Sequence, residues 1–126
     1  MKVLIVDDSM MMRKVIRRMV ENFGPVQCIE AGNGIEAVDS FNKEQPDIIF
    51  MDIVMPEMDG LQALAAIRAI SPEAFIVMCS SINTEFSKLE ASQSGANGYI
   101  IKPAGQEDIQ AAMQEASDYM QTHSLN

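Results

Sequence analysis

Ile48-Ile49-Phe50-Met51-Asp52 decides how this chain is to be read. Four apolar residues without alternation describe a strand covered on both faces, as in parallel sheets flanked by helices. Closing such a run with a carboxylate costs desolvation, so the charge at the strand tip calls for a chemical reason. Three more runs close in the same manner. Val3-Leu4-Ile5-Val6 ends in Asp7-Asp8, Phe75-Ile76-Val77-Met78-Cys79 ends in Ser80, and Tyr99-Ile100-Ile101 ends in Lys102. In open parallel sheets ligands bind at the carboxyl ends of strands. Three carboxylates, a hydroxyl and an ammonium gathered there make a site for a divalent cation and a phosphoryl group.

Outward from these runs, the chain alternates between apolar strands and helical periodicities, which predicts repeated βαβ units. Residues 2–6 read as a strand and 9–23 as a helix, with Ser9 as N-cap and a stripe of Met12, Val15, Ile16, Met19, Val20 and Phe23. Gly24-Pro25 stops it. Residues 26–30 form a weaker strand suited to a sheet edge, and 35–44 a second helix. The strand 47–52 leads through Pro56 and Gly60 into a third helix that ends at Ile70, before Ser71-Pro72. A fourth strand spans 74–79. The fourth helix, 83–94, has a thin apolar stripe of Phe86 and Leu89, which predicts a loosely held element ended by Gly95. Strand 98–101 precedes a last helix, 105–121, with Ile109, Ala112, Met113, Ala116 and Met120 at helical spacing.

The bulk composition narrows the function. A chain of 126 residues with 48% hydrophobic and 21% charged content suits one soluble domain over residues 1–126. The formal net charge of −9 argues against nonspecific nucleic-acid binding, which needs a surplus of Lys and Arg. No apolar stretch has the length of a membrane span, and the start Met1-Lys2-Val3 enters a strand directly. A cytoplasmic location is expected. Cys28 and Cys79 read as small buried thiols in a reducing compartment.

The clustered groups permit one coherent chemistry. A hard cation such as Mg²⁺ takes oxygen ligands and usually keeps several waters. Asp8 and Asp52 are placed to bind it directly, Asp7 directly or through water, and the backbone carbonyl of Val54 supplies a further oxygen. A carboxylate oxygen of Asp52 then attacks phosphorus in line to form an acyl phosphate. The ammonium of Lys102 stabilises the equatorial oxygens, and the Ser80 hydroxyl hydrogen-bonds the attached group.

Here the chain resembles response-regulator receiver domains of the chemotaxis, CheY-like type. The matching segments are Val6-Asp7-Asp8-Ser9, the run from Met51 through Asp52 and Pro56 to Asp59-Gly60, Cys79-Ser80, and Gly95 through Tyr99 to Lys102-Pro103. They cover most of the chain, in the family's order. The resemblance implies a doubly wound, flavodoxin-like sheet of five parallel strands, order 2-1-3-4-5, flanked by five helices. It implies phosphoryl transfer to Asp52 from a sensor histidine kinase with Mg²⁺ held by Asp7 and Asp8. It further implies readout by Ser80 and Lys102, a switch aromatic at Tyr99, and a cis Lys102-Pro103 bond. The output would be a protein-binding face of the fourth helix, fifth strand and last helix, with a flagellar motor switch protein as the target by analogy.

Two other readings of these residues have requirements of their own. A receiver module of a DNA-binding transcription regulator would need a basic helix-turn-helix segment downstream. An aspartate-nucleophile phosphatase would need an acid two positions after its nucleophile, where this chain has Val54. The chain is thus expected to be a signalling protein rather than an enzyme, a monomer with phosphorylation-dependent dimerisation as the alternative. Ala104 departs from the aromatic that similar chemotaxis regulators often carry. Val54 and Ile82 flank the phosphoryl site without a polar group to orient water, which predicts slow self-hydrolysis. Arg13, Lys14, Arg17 and Arg18 read as a solvated helix face, with a kinase contact as the alternative. His123, the sole histidine, reads as a tail residue without partners.

Overall fold

A computed structural model describes residues 1–124. Five strands and five helices alternate: β1 Lys2–Val6, α1 Met10–Glu21, β2 Gln27–Ala31, α2 Gly34–Glu44, β3 Ile48–Asp52, α3 Gly60–Ile70, β4 Ile76–Ser80, α4 Glu85–Gln93, β5 Gly98–Ile101 and α5 Gln106–Ser124. The sheet is parallel throughout, in the order β2-β1-β3-β4-β5, as the sequence predicts. β2 lies at one edge and is the least buried strand, which explains its weaker apolar signal.

The unbroken apolar runs do bury both faces. Leu4, Val6, Ile49, Met51, Ile76 and Met78 point into one core with Ala37 and Phe41 of α2, Ala63, Leu64 and Ile67 of α3, and Ala91 of α4. Val3, Ile5, Ile48, Phe50, Val77 and Cys79 point into the other, with Ile16 and Val20 of α1 and Ile109, Met113 and Ala116 of α5. Each fully buried aliphatic stabilises the fold by about 1.5–3 kcal/mol relative to exposure. The central strands β1, β3 and β4 therefore hold their carboxyl ends rigidly.

Capping follows the residues that the sequence offers. Ser9 caps α1, its Oγ accepting from the Met12 N–H at 3.2 Å. Asn33 caps α2, and Asp59 caps α3 in a box with Gln62. Thr84 caps α4. α2 ends in left-handed Gln45, φ 49°, ahead of Pro46, and Gly95 turns the chain after α4 at φ 106°. Arg68 of α3 ties the approaches to β4 and β5 together, donating to the carbonyls of Pro72, Ala74 and Gly95 and to Asn97 Oδ1.

Four expectations need correction. On α4, Phe86 and Leu89 do not face the core: they are 75% and 56% exposed, and the buried positions are Ser87 and Ala91. The small pair at i and i+4 lets the helix sit close to the sheet, and the large residues turn outward. On α1, Val15 is exposed, so the buried stripe narrows to Ile16 and Val20. Arg13 and Arg17 are not simply solvated. Both clasp Glu30 of β2, at 2.9 and 2.8 Å, and Arg13 also donates to the Asp7 carbonyl at 2.7 Å. His123 has a partner after all: its ring stacks on Tyr119 at 3.8 Å and its Nδ1 lies 2.8 Å from the Tyr119 carbonyl oxygen.

The cysteines are both free; Cys79 on β4 is buried as expected, whereas Cys28 on the edge strand β2 is only partly buried. Burial pushes the Cys79 thiol up to about 12, so it stays protonated and inert. Among the described residues, no helix is long and apolar enough to cross a membrane.

Candidate functional site

Strand register brings the acidic tips together. Val6 of β1 pairs with Met51 of β3, so Asp7 and Asp52 emerge side by side one residue later. Asp52 in turn pairs with Cys79 of β4, which sets Ser80 just beyond, and Ser80 pairs with Ile101 of β5, which sets Lys102 beyond that. The four tips form one bowl at the carboxyl edge of the sheet.

Within it, Asp7, Asp8 and Asp52 each offer a carboxylate oxygen, all within 4.8 Å of one another. Asp7 is buried and held in place: its Oδ1 accepts from the Ser9 N–H at 2.9 Å and its Oδ2 from Lys102 Nζ at 2.8 Å. Lys102 also reaches Asp52 Oδ1 at 3.3 Å. Asp8 is exposed at the rim, open to a ligand from solvent. The Lys102-Pro103 bond is cis, in agreement with the resemblance.

Electrostatics of the bowl are mixed. Burial raises the pKa of Asp52; the charge of Lys102 opposes this, and those of Asp7 and Asp8 reinforce it. Burial alone would lower Lys102, but its hydrogen bond to Asp7 and the charge of Asp52 outweigh that and hold its pKa above the usual value. The ammonium therefore stays charged at neutral pH. Three carboxylates against one ammonium leave excess negative charge, which a divalent cation would offset. Clustered hard oxygen donors without sulfur or imidazole suit Mg²⁺ and fit the expected cofactor.

The walls are set by close backbone contact. Gly60, the first residue of α3, donates its N–H to the Ile53 carbonyl at 2.7 Å. A Cβ there would overlap the carbonyl oxygen of Asp52, so only glycine lets α3 start against the end of β3. Val54 stands on the loop after Asp52, 66% exposed, and Ile82 on the facing loop, 38% exposed. Both apolar side chains border open solvent at the mouth.

Ser80 and Tyr99 are linked through Ile82. Ser80 Oγ accepts from the Ile82 N–H at 3.0 Å, and Tyr99 Oη donates to the Ile82 carbonyl at 2.8 Å. Tyr99 is half-buried beside α4, where Ser87 Oγ lies 3.0 Å from its hydroxyl. Ser87 was missed by sequence reasoning. A serine within a polar helix gives no signal of its own, and Phe86 and Leu89, three apart on one face, pointed to the wrong side of α4.

Comparison with known proteins identifies relatives in sequence and in fold. The sequence matches the response regulator receiver domain over residues 3–114. It is 41% identical over 117 residues to the chemotaxis protein CheY of Listeria monocytogenes, covering 93% of this chain and 98% of that protein. To the chemotaxis protein CheY of Bacillus subtilis it is 41% identical over 102 residues, covering 81% and 85%. Among solved structures, the chemotaxis protein CheY4 of Vibrio cholerae superposes with a TM-score of 0.84 at 30% identity, over 91% of this chain and 97% of that one. A CheX-CheY-BeF3-Mg²⁺ complex from Borrelia burgdorferi matches with a TM-score of 0.86 at 28% identity, over 92% and 88%.

Proposed function

The chain belongs to the response regulator receiver family, and from that premise we propose that it is a phosphoacceptor switch with Asp52 as the modified residue. The observation that carries this reading is Lys102 Nζ set between Asp7 and Asp52, with Asp8 completing a carboxylate cluster.

In the proposed transfer, an oxygen lone pair of Asp52 forms a bond to phosphorus. The bond from phosphorus to the donor breaks, a nitrogen of a kinase histidine or an oxygen of a small acyl phosphate, and its electron pair leaves with the donor. Lys102 remains protonated and faces the charge that builds on the transferred oxygens. Asp7, Asp8, Asp52 and the Val54 carbonyl would hold Mg²⁺, which when bound neutralises the carboxylates and the phosphoryl oxygens. Water attack on phosphorus later returns the carboxylate and releases inorganic phosphate.

Readout begins at Ser80. Its Oγ accepts from Ile82, which leaves the hydroxyl proton for a phosphoryl oxygen. A dianionic group at Asp52 thereby pulls on the loop after β4, and Tyr99, hydrogen-bonded to that loop, transmits the change to α4, β5 and α5. The target is a protein docked on this face. The identity shared with the chemotaxis relatives supports a regulator of chemotaxis in the cytoplasm, phosphorylated by a sensor histidine kinase and acting on a flagellar motor switch protein, over a DNA-binding regulator's receiver module.

The test is intact mass after incubation with acetyl phosphate. One phosphoryl adduct is expected with Mg²⁺, none with EDTA, and none on Asp52→Asn. Equal adduct on wild type and Asp52→Asn would remove Asp52 from the chemistry.

A further inference from the structure

A hydrogen-bonded chain runs from the first turn of α4 to the proposed phosphoryl site, and its first member has no role in the account above. Ser87 is buried on α4, on the turn that meets β5. Its Oγ lies 3.0 Å from Tyr99 Oη. Tyrosine has a single hydroxyl proton. Tyr99 donates that proton to the Ile82 carbonyl at 2.8 Å, so at the other contact its oxygen is the acceptor and Ser87 the donor. Ile82 passes the connection on, its N–H donating to Ser80 Oγ at 3.0 Å. Every bond points the same way: Ser87 to Tyr99, Tyr99 to the Ile82 carbonyl, and Ile82 N–H to Ser80. Both backbone polar groups of one loop residue are thus clasped, one by the proposed phosphoryl reader and one by the proposed switch aromatic.

From this geometry we infer that Ser87 is a positioning residue: through Tyr99 it fixes the Ile82 segment so that the Ser80 hydroxyl is aimed at Asp52 before any phosphoryl group arrives. The inference rests on the phosphoacceptor reading and deepens it. Two physical points support it. Tyr99 is held at its hydroxyl on two sides, by the loop and by α4, so the ring cannot leave without breaking both bonds. Phe86 and Leu89 face solvent, so apolar packing from those side chains does not anchor α4, and the Ser87 hydroxyl is one of its few specific ties to β5. Coupling is reciprocal: a bond that favours the aimed loop favours phosphorylation, and phosphorylation favours that bond.

The experiment compares wild type, Ser87→Ala, Ser87→Thr, Tyr99→Phe and the Ser87→Ala/Tyr99→Phe double variant. The readout is the initial rate of adduct formation with acetyl phosphate and Mg²⁺, by intact mass. Loss of one such hydrogen bond is expected to slow Ser87→Ala roughly fivefold. Tyr99→Phe, which loses both bonds of its hydroxyl, should slow at least as much, the double variant no further than Tyr99→Phe, and Ser87→Thr should run at the wild-type rate, because it keeps the hydroxyl. As a second readout, 3-fluorotyrosine is placed at position 99 alone, in a Tyr119→Phe background. Its fluorine resonance should move in unphosphorylated Ser87→Ala and stay in place in Ser87→Thr. A wild-type rate in Ser87→Ala, additive losses in the double variant, or an equal loss in Ser87→Thr would each overturn the role of Ser87 alone. Absence of adduct on wild type, or equal adduct on Asp52→Asn, would overturn the phosphoacceptor reading and this inference with it.

Discussion

Asp52 shows how a single residue carries both the cost and the function of the site. It closes a strand buried on both faces, next to two more carboxylates, and Lys102 offsets only part of that charge. Its pKa is raised in the folded protein, chiefly by burial. The folded state therefore holds the proton more tightly than the unfolded chain does. That contribution to stability is present in full below the unfolded value, about 3.9, and is lost as pH rises through the folded one. At neutral pH without metal, Asp52→Asn should consequently melt at a higher temperature than wild type, and the gap should close toward pH 4. Thermal unfolding in EDTA across this range checks it; an Asn variant less stable at pH 7 would contradict it. At the same scale, Val54 and Ile82 present only apolar groups at the mouth. Replacing both with polar residues, as in Val54→Asn with Ile82→Glu, should shorten the lifetime of the adduct by at least about tenfold. An unchanged decay of the intact-mass signal would refute this. The strand-tip residues were legible because a charge ending an apolar run is conspicuous. Ser87 was not, because a serine within a polar helix has no distinguishing neighbour in sequence.

Among elements, α4 separates what pattern can and cannot reveal. Its end was readable from Gly95, whereas its start was set at residue 83 and its buried face assigned to Phe86 and Leu89; the helix begins at Glu85 behind the Thr84 cap and buries the small pair Ser87 and Ala91. Hydrophobicity did not decide the matter: the small pair is buried and the two large apolar side chains face solvent. Phe86→Ala and Leu89→Ala should each change stability by no more than about 0.5 kcal/mol. Ala91→Leu should cost about 1–3 kcal/mol through overpacking. Urea unfolding of the three variants distinguishes this arrangement from one with Phe86 inside, which would make Phe86→Ala the most damaging. The start of α3 carries a second constraint. Gly60→Ala must displace either the helix or the Asp52 carbonyl, so a loss of about 1–3 kcal/mol is expected together with slower adduct formation. A variant with wild-type stability and rate would show that the contact yields. Arg13 and Arg17 were read as a solvated face because their partner, Glu30, lies in β2, too distant in sequence for a helical pattern to indicate.

At the scale of the molecule, strand order and site location come from the same cause. The order β2-β1-β3-β4-β5 sets β1 and β3 side by side, and with them the residues that end those strands. The sheet type was legible from unbroken apolar runs, whereas the order β2-β1-β3-β4-β5 came from resemblance, since no local pattern encodes it. Two neighbouring helices on one face of the sheet differ in charge. α1 carries Arg13, Lys14, Arg17 and Arg18, whereas α5 has no Lys or Arg and carries Glu107, Asp108, Glu115 and Asp118. The bowl of carboxylates lies at the carboxyl edge of the sheet, where the fold directs every strand tip at once. Trapping the acyl phosphate with borohydride after acetyl phosphate and Mg²⁺ treatment, then mapping peptides by mass, tests the central claim most directly. Homoserine at position 52 and at no other carboxylate is the predicted result; reduction at Asp7, Asp8 or a distant residue, with Asp52 intact, would contradict it.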